Sequence, residues 1–323
     1  MKKKLIITGS NGFIGSFLLK QFKKDYNLFG ADLGEKIYES TDFKYCNIDI
    51  SSYYLCEEFI DFINPDIIIH CAGIAHQKLG GADKDTYFKV NSEATLNLAD
   101  AAAKINPDVH FVFLSSISVY GENFPDEQPV IEESDLNPSS DYAKSKLDAE
   151  IKLIDLYKNG VLKKLDILRL APVYDSDWTL NLDKRVFGPK ELFYLKFGSG
   201  KQMLSAVSRK NLVDFIEYRV KNAGSKEDEF LNIFNVCDLN PYSFKEIINI
   251  FKRSDLKPER PVFRVPLSFV WLVTRLAGMV IKSKRSWIYS CYDKVAKDLV
   301  FDNTKMLETG FKPEKNLKDI FLK

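Results

Sequence analysis

The sequence is poor in residues that would indicate a disulfide framework, a metal site or a polyanionic partner. Its five cysteines are odd in number and widely spaced, without a C-x-x-C pair, which indicates reduced thiols and not a zinc site. Lys and Arg total 46 against 45 Asp and Glu, so the chain lacks the basic excess of a nucleic-acid-binding protein. We therefore expect neither a metal centre nor a nucleic-acid partner.

Long apolar runs are also missing. The apolar run at 5–7 is shorter than the roughly 7–15 residues of a signal peptide core, so we expect a cytoplasmic protein. The most apolar segment, 265–281, is interrupted by polar residues and falls short of the ~20 residues that span a bilayer. We interpret it as an amphipathic helix buried at a domain surface. The basic run at 282–285 leaves attachment to a membrane surface as the alternative.

Alternating strand and helix patterns fill the first half of the chain. Apolar runs and helical spacing predict strands at 5–7, 27–31, 43–48, 66–70, 110–114 and 165–170, and helices at 14–22, 53–63, 86–104 and 142–157. This α/β alternation is typical of a Rossmann-type, doubly wound parallel sheet. We predict a Rossmann domain at 1–170. A smaller α+β substrate-binding portion follows at 171–323, open to interleaving with the first, with a return strand pair at 202–208 and 230–237.

A glycine-rich turn, TGSNGFIG at 8–15, joins the first strand to the first helix. Gly9 permits a sharp turn, Gly12 lets the backbone approach a pyrophosphate, and Gly15 allows close helix–strand packing. The helix N-terminus offers free N–H groups to the anion. The strand before and the helix after favour a dinucleotide site over an ordinary turn. The predicted cofactor contacts of this turn are Gly9, Asn11, Gly12, Phe13, Ile14 and Gly15.

Asp32 ends the second predicted strand, 17 residues after Gly15. A carboxylate there can accept hydrogen bonds from both ribose hydroxyls of a dinucleotide and would repel a 2′-phosphate. No Lys or Arg follows at 33–35. The sequence therefore predicts NAD as the cofactor, and not NADP.

Tyr142 and Lys146 lie four residues apart on a predicted helix, so they share one face. A nearby ammonium lowers the pKa of a phenol from about 10, which would let Tyr142 take or give a proton near neutral pH. Ser116 follows the fifth predicted strand, at the sheet edge where ligands bind. Its hydroxyl can bond a substrate oxygen that Tyr142 also contacts. We predict that these three residues are catalytic.

In these motifs the sequence resembles the extended short-chain dehydrogenase/reductase family, also called the NAD-dependent epimerase/dehydratase family. The segments that carry the resemblance, in the family's order and spacing, are 8–15, 47–50, 70–73, 90–91, 115–121 and 142–146. By this resemblance Tyr142 would be the acid/base, Lys146 would also bond the nicotinamide ribose, and Ser116 would orient the reacting hydroxyl or ketone. The family also implies a homodimer that pairs the helices at 86–104 and 142–157.

The resemblance extends the predicted cofactor site beyond the glycine turn. Asp49 and Ile50 would contact the adenine, and Ala72 with Gly73 would line the cofactor after the fourth strand. Asn91 would either contact the cofactor or satisfy a backbone group. The remaining residues assigned to the cofactor are Tyr142, Lys146, Pro172 and Val173.

The resemblance also narrows the chemistry. Dehydratases of the family carry Asp-Glu where this chain has Ile117 and Ser118, which argues against elimination of water. Pro172 stands where many epimerases have a substrate-contacting Asn, and the segments 205–213 and 265–267 are more similar to 4-keto-sugar reductases. We therefore predict a nucleotide-sugar epimerase or keto-reductase that acts by hydride transfer in surface-polysaccharide precursor synthesis.

The sequence leaves two candidate substrate contacts and two alternative functions undecided. His76 and Arg185 are candidates to bind the substrate, Arg185 at its diphosphate; a loop histidine that satisfies the backbone and a solvated arginine are the alternatives. A hydroxysteroid-like or other 3-hydroxy dehydrogenase would use the same scaffold. A non-catalytic, NAD-sensing protein would also share the fold, although the retained Ser116, Tyr142 and Lys146 favour an enzyme.

Overall fold

A computed structural model describes residues 2–35, 42–75, 82–121, 129–222 and 230–322. The elements are β1 (Lys4–Thr8), α1 (Gly15–Phe22), β2 (Asn27–Asp32), β3 (Lys44–Asn47), α2 (Tyr53–Ile63), β4 (Ile67–His70), α3 (Lys84–Phe88), α4 (Ala94–Ile105), β5 (His110–Ser116), α5 (Asp141–Lys158), β6 (Lys164–Leu170), β7 (Val173–Tyr174), α6 (Leu180–Val186), β8 (Tyr194–Phe197), β9 (Met203–Leu204), β10 (Val207–Ser208), α7 (Arg209–Asn222), β11 (Leu231–Val236), β12 (Tyr242–Ser243), α8 (Phe244–Arg253), β13 (Val262–Val265), α9 (Leu267–Val280), α10 (Arg285–Ala296), α11 (Thr304–Glu308) and α12 (Leu317–Phe321).

Seven strands form one sheet in the order β11-β6-β5-β4-β1-β2-β3. Strand β1 lies parallel to both β2 and β4, with Ile6 opposite Phe29 and Ile68. The pairs β2–β3 and β4–β5 are parallel as well. The chain order reverses between β1 and β4, which opens a crevice at the carboxyl ends of these strands. The predicted Rossmann-type parallel sheet is confirmed.

Local sequence explains where the elements of this sheet begin and end. The three isoleucines of β4 are buried because the sheet is covered on both faces, as their β-branched run predicts. Helix α2 begins after Ser52, whose hydroxyl accepts a hydrogen bond from the Leu55 N–H at 3.4 Å, and it ends at Asn64 with φ of +49°. Ser140 caps α5 in the same way.

The helix predicted at 86–104 is interrupted by a change in winding. Helices α3 and α4 are joined by a π-helical turn at Lys89–Glu93. A π turn inserts one residue into the helical repeat and so redirects the side chains that it carries. Asn91 lies in this turn and is buried.

Contacts divide the chain into two compact units. The first comprises Met1–Tyr120, Leu136–Arg169 and Val213–Phe234, and the second comprises Gly121–Asp135, Leu170–Leu212 and Asn235–Lys323. In the first, small alanines of α4 let that helix pack closely on the apolar sheet. In the second, the core gathers aromatic side chains such as Tyr174 and Phe251. The assignment of cofactor and substrate roles to separate domains stays a prediction.

Two expectations for the second half of the chain are wrong. The segment predicted to pair with 202–208 instead supplies β11, an edge strand of the large sheet, while β9 pairs with β12 and β10 with β7. The six residues of β11 can cover the open edge of β6, which a two-residue strand cannot do.

The apolar segment 265–281 does form a helix, but that helix is not buried. Of the residues of α9, all of which the structure describes, Gly278 alone is buried. Its large apolar side chains contact too little of the described chain to lose their exposure to solvent. Within the described ranges, no helix has the length and hydrophobicity needed to cross a bilayer.

Candidate active site

A cavity of about 940 Å³ lies at the carboxyl ends of the strands around the crevice between β1 and β4. Its size suits a dinucleotide, since ligand pockets commonly measure ~300–1,000 Å³. Eight of the residues predicted to bind the cofactor line it: Gly9, Asn11, Gly12, Asp32, Asp49, Ile50, Ala72 and Gly73. The structure therefore brings together predicted residues from four separate parts of the chain.

The glycine turn is too compact for side chains at two of its positions. Gly9 has φ of +64°, and a Cβ there would lie 2.7 Å from the backbone nitrogen of Ala72. A Cβ on Gly15 would lie 2.2 Å from the carbonyl oxygen of Gly9. Gly15 thus acts in packing, as predicted from its place in the motif. Neither it nor its neighbours Phe13 and Ile14 contribute to the cavity wall.

Asp32 holds the turn to the end of β2. Its Oδ2 accepts a hydrogen bond from the backbone N–H of Asn11 at 2.7 Å, and its Oδ1 accepts one from Leu33 at 2.8 Å. The carboxylate faces the cavity, where it fits the ribose hydroxyls of NAD and disfavours a 2′-phosphate. Across the cavity, the backbone N–H of Ser51 holds the pKa of Asp49 below its usual value.

A buried network that was not predicted supports the wall of the cavity. The hydroxyl of Thr8 bonds Nδ1 of His70 at 2.7 Å and accepts the N–H of Ala72 at 3.2 Å. The other ring nitrogen of His70 bonds Thr95 at 2.9 Å. Burial lowers the pKa of His70 to about 3, so its ring is neutral. In the sequence, His70 lies at the end of a buried strand and in the segment 70–73 that carries the family resemblance, but neither signal indicates its hydrogen-bond partners.

Ser116 and Tyr142 meet at the carboxyl end of β5. The Ser116 side chain lies close enough to the phenol of Tyr142 to lower its pKa, although 26 residues separate them in the chain. Ser116 Oγ also accepts hydrogen bonds from the hydroxyl of Ser118 at 2.9 Å and from its N–H at 3.2 Å. The ring of Tyr87 packs edge-to-face on Tyr142, with 6.3 Å between the centroids. The two hydroxyls can therefore hold one substrate oxygen between them.

Lys146 extends from α5 towards the cavity wall. Its ammonium donates to the carbonyl of Leu114 at 3.0 Å and lies 4.7 Å from the centroid of the Phe113 ring. A Cβ on Gly73, in the cavity wall, would lie 3.2 Å from Nζ. Burial lowers the pKa of Lys146 to about 8. The ammonium is thus within reach of a cofactor bound against Gly73.

The expectation that Lys146 lowers the pKa of Tyr142 is wrong for this structure. Burial raises the pKa of Tyr142, and the nearby side chain of Ser116 opposes that rise. The ammonium of Lys146 bonds the Leu114 carbonyl instead, and it is not among the groups that shift the phenol. Shared helix spacing placed the two residues on one face, but desolvation of the phenolate dominates.

Asn91 satisfies backbone groups, the alternative role considered for it. Its Oδ1 accepts the N–H of Ile74 at 2.8 Å, and its Nδ2 donates to the carbonyl of Ile74 at 3.0 Å and to Ser145 Oγ at 3.0 Å. Ser145 in turn donates to the carbonyl of Tyr142. Asn91 therefore connects the loop after β4 to the first turn of α5, and it does not line the cavity.

A buried ion pair near the three residues predicted to be catalytic was also not predicted. Glu150, four residues after Lys146, accepts hydrogen bonds from Nη2 of Arg169 at 2.8 Å and from the Ser115 hydroxyl. The same guanidinium donates to the Tyr120 hydroxyl at 2.9 Å. Glu150 is fully buried, and its charge counteracts part of the fall in the pKa of Lys146 that burial causes.

The remaining candidate residues belong to the second unit or lie outside the described ranges. The carbonyl of Pro172 accepts the N–H of Val207, and Val173 pairs with Val207 in a two-stranded sheet. Arg185 lies on helix α6, not in an irregular loop, and its guanidinium donates to the carbonyl of Lys294 at 2.6 Å. Burial lowers its pKa to about 10. His76 lies outside the described residues.

Comparison with known proteins shows which family this chain is similar to. Residues 5–174 match the model of the NAD dependent epimerase/dehydratase family. The chain is 28% identical to a UDP-glucose 4-epimerase of Vibrio cholerae, over 99% of this chain and 94% of that protein. It is 24% identical to the N-acetyl-alpha-D-glucosaminyl-diphospho-ditrans,octacis-undecaprenol 4-epimerase of Escherichia coli O157:H7, over 96% and 91%.

The fold agrees with that match. The UDP-Glc/GlcNAc 4-epimerase of Campylobacter jejuni superposes with a TM-score of 0.76 at 22% identity, over 98% of this chain and 96% of that one. Among the described residues, no group of three His, Cys, Asp or Glu side chains is arranged to hold a metal ion. The chain belongs to the NAD-dependent epimerase/dehydratase family and is an enzyme of the extended short-chain dehydrogenase/reductase type, with NAD as its cofactor.

Proposed function

We propose that the protein is an NAD-dependent 4-epimerase of a sugar carried on a diphosphate, with a nucleotide sugar as the first candidate substrate. The observation that carries the proposal is the proximity of Ser116 and Tyr142 at the carboxyl end of β5, together with an NAD-sized cavity whose wall Lys146 reaches. The full-length similarity to the Vibrio cholerae UDP-glucose 4-epimerase supports the choice of reaction.

The three residues divide the proton chemistry between them. NAD supplies the acceptor and then the donor of the hydride. Tyr142 Oη takes up the proton of the sugar hydroxyl during oxidation and returns it during reduction. Ser116 holds the same oxygen and, by lowering the pKa of Tyr142, favours its phenolate against the effect of burial. The buried ammonium of Lys146, which lies close to Gly73 in the cavity wall, would bond the nicotinamide ribose of the cofactor.

The neighbours of Ser116 argue against a dehydratase. Elimination of water needs an acid and a base beside the substrate, yet Ile117 is an apolar, buried residue. Ser118 donates its hydroxyl to Ser116 at 2.9 Å, so it supports that residue. Neither side chain can replace a carboxylate.

A keto-reductase is the second candidate, because Pro172 occupies the position of a substrate-contacting Asn in many epimerases. The two reactions differ in what happens to the cofactor. An epimerase must retain the reduced form until it returns the hydride, whereas a reductase releases the oxidised form at each turnover. Absorbance and mass spectrometry of the purified, denatured protein would show retained NAD for an epimerase and empty protein for a reductase.

A sugar linked to diphospho-undecaprenol is the second candidate substrate. The Escherichia coli relative is named for such a substrate, and the exposed apolar helix α9 is the observation that favours it here. The test is to offer UDP-glucose, UDP-N-acetylglucosamine and a diphospho-polyprenol-linked N-acetylglucosamine in parallel. Chromatography of the released sugars then shows which one is epimerised. Turnover of none of them would contradict the proposal.

Replacement of Tyr142 by Phe tests the mechanism directly. We expect Tyr142→Phe to lower turnover by about 10²–10⁴-fold, the usual contribution of a general acid–base, and to leave NAD affinity within a few-fold. Calorimetric titration with NAD measures the second quantity. Tyr157→Phe, on the same helix, is the matched control and should keep full turnover. Unchanged turnover of Tyr142→Phe would remove that residue from the mechanism.

The wider setting also belongs to the proposal. We infer a role in making precursors of surface polysaccharides, a cytoplasmic location and a homodimer that pairs the α3–α4 segment and α5 of two copies. The exposed Ile151 on α5 is consistent with such a contact. The 3-hydroxy dehydrogenase and NAD-sensing alternatives are supported less, since two relatives that cover nearly the whole chain are named as 4-epimerases.

A further inference from the structure

Helix α9 carries an exposed apolar face that the active site does not explain. We call this face the α9 stripe; it consists of Phe269, Leu272, Val273, Leu276, Met279 and Val280. Spacings of three and four residues place these side chains along one side of the helix. They are between 47% and 83% exposed in the described chain. The stripe contains no charged residue.

Helix α10 holds the opposite side of α9. A Cβ on the buried Gly278 would lie 2.6 Å from the ring of Tyr289, so the two helices are in close contact there. The guanidinium of Arg275 lies 4.2 Å from the centroid of the same ring. Gly278 is about half a helical turn from Leu276, at the centre of the stripe. The packing on α10 therefore directs the stripe away from it.

The segment around the stripe is strongly basic. Between Glu259 and Asp293 there is no acidic residue, and the segment contains Arg260, Arg264, Arg275, Lys282, Lys284 and Arg285. These six side chains give it a formal charge of +6, against +1 for the whole chain. Arg264, Lys282 and Arg285 are exposed at the two ends of α9. An apolar face between exposed cations matches a surface that offers both acyl chains and anionic headgroups.

We propose that the α9 stripe docks the protein on the surface of an anionic lipid bilayer, with α9 lying along that surface. A helix of 14 residues is about 21 Å long, short of the ~30 Å hydrocarbon core, so it lies in the interface and does not cross it. A second copy of the chain fits less well, because it would bring two segments of charge +6 together.

Flotation of the full-length protein with vesicles tests the proposal without reference to catalysis. We expect binding to vesicles with about 30% phosphatidylglycerol, little binding to phosphatidylcholine alone, and weaker binding at high salt. Leu276→Glu should weaken the binding at least about tenfold, and Lys282→Ala about fivefold. The matched control is Phe62→Glu on α2, where Phe62 is 82% exposed outside the stripe; it should bind like the unchanged protein.

Several results would overturn the proposal. One is that the protein does not float with anionic vesicles. The others are that Leu276→Glu binds vesicles as well as the unchanged protein, or that Phe62→Glu loses as much binding as Leu276→Glu. Sedimentation velocity tests whether a second copy of the chain covers the stripe instead of a bilayer. An oligomer that Leu276→Glu dissociates, with no vesicle binding, would assign the stripe to a second copy. Thermal unfolding of each variant shows that it is folded. Epimerisation of soluble substrates is measured separately, so vesicle binding and the proposed function can fail independently.

Discussion

Replacement of Glu150 by Gln removes one charge from the buried ion pair of Glu150 and Arg169 and keeps the shape of the side chain. In the native protein the Glu150 carboxylate is fully buried and is bonded by Arg169 at 2.8 Å. The Arg169 side chain is only 3% exposed, so water cannot replace the lost partner. The variant therefore removes the negative charge of Glu150 from beside the buried guanidinium of Arg169.

The expected cost follows from that burial. Removal of one member of a buried, hydrogen-bonded ion pair destabilises proteins by about 3–5 kcal/mol, whereas exposed pairs contribute about 0–1 kcal/mol. For domains of this size, each kcal/mol lowers the melting temperature by roughly 2–4 °C. We expect Glu150→Gln to melt at least about 6 °C below the unchanged protein. It should also lower the pKa of Lys146 further, because the charge of Glu150 raises it.

Thermal unfolding followed by circular dichroism measures this effect. Asp155→Asn is the matched control, because Asp155 is an exposed acid on the same helix α5. It should melt within about 1–2 °C of the unchanged protein. If Glu150→Gln and Asp155→Asn melted alike, the buried pair would not stabilise the fold as reasoned here.

Two further substitutions and one labelling experiment have expected outcomes. Gly15→Ala would place a Cβ 2.2 Å from the Gly9 carbonyl oxygen, so we expect NAD affinity to fall more than about tenfold by calorimetry; unchanged affinity would contradict the packing role. Although burial raises the pKa of Asp166, its buried histidine and arginine partners lower it to about 2. A depressed carboxyl pKa stabilises the fold above pH ~4, and this contribution of about 2 kcal/mol is lost as the pH falls towards 2. The stability difference between the unchanged protein and Asp166→Asn should therefore shrink as the pH falls from 5 to 3. A constant difference would refute this contribution of Asp166. Burial raises the pKa of Cys56 and of Cys237 to about 12, so peptide mass spectrometry should find both thiols unmodified by iodoacetamide at pH 8 in the native protein and modified after denaturation.

Much of the sheet and of the cofactor cavity could be predicted from the sequence, because the patterns involved are local. The β-branched run at 66–70 specifies a strand buried on both faces, and Ser52 and Asn64 specify the ends of α2. The glycine turn requires a backbone that few other residues permit, as the φ of Gly9 shows. Such features need only neighbours within a few residues, so the order of strands and helices followed from them.

The sequence by itself thus determined the order of the elements, the glycine turn and the helix that carries Tyr142 and Lys146. The tertiary structure alone decided that burial raises the pKa of Tyr142, that Glu150 pairs with Arg169, and that the α9 stripe stays exposed. These properties depend on which distant segments exclude water from a group or supply its partner. Packing brings these segments together although tens of residues separate them in the chain, and the spacing of nearby residues does not encode it.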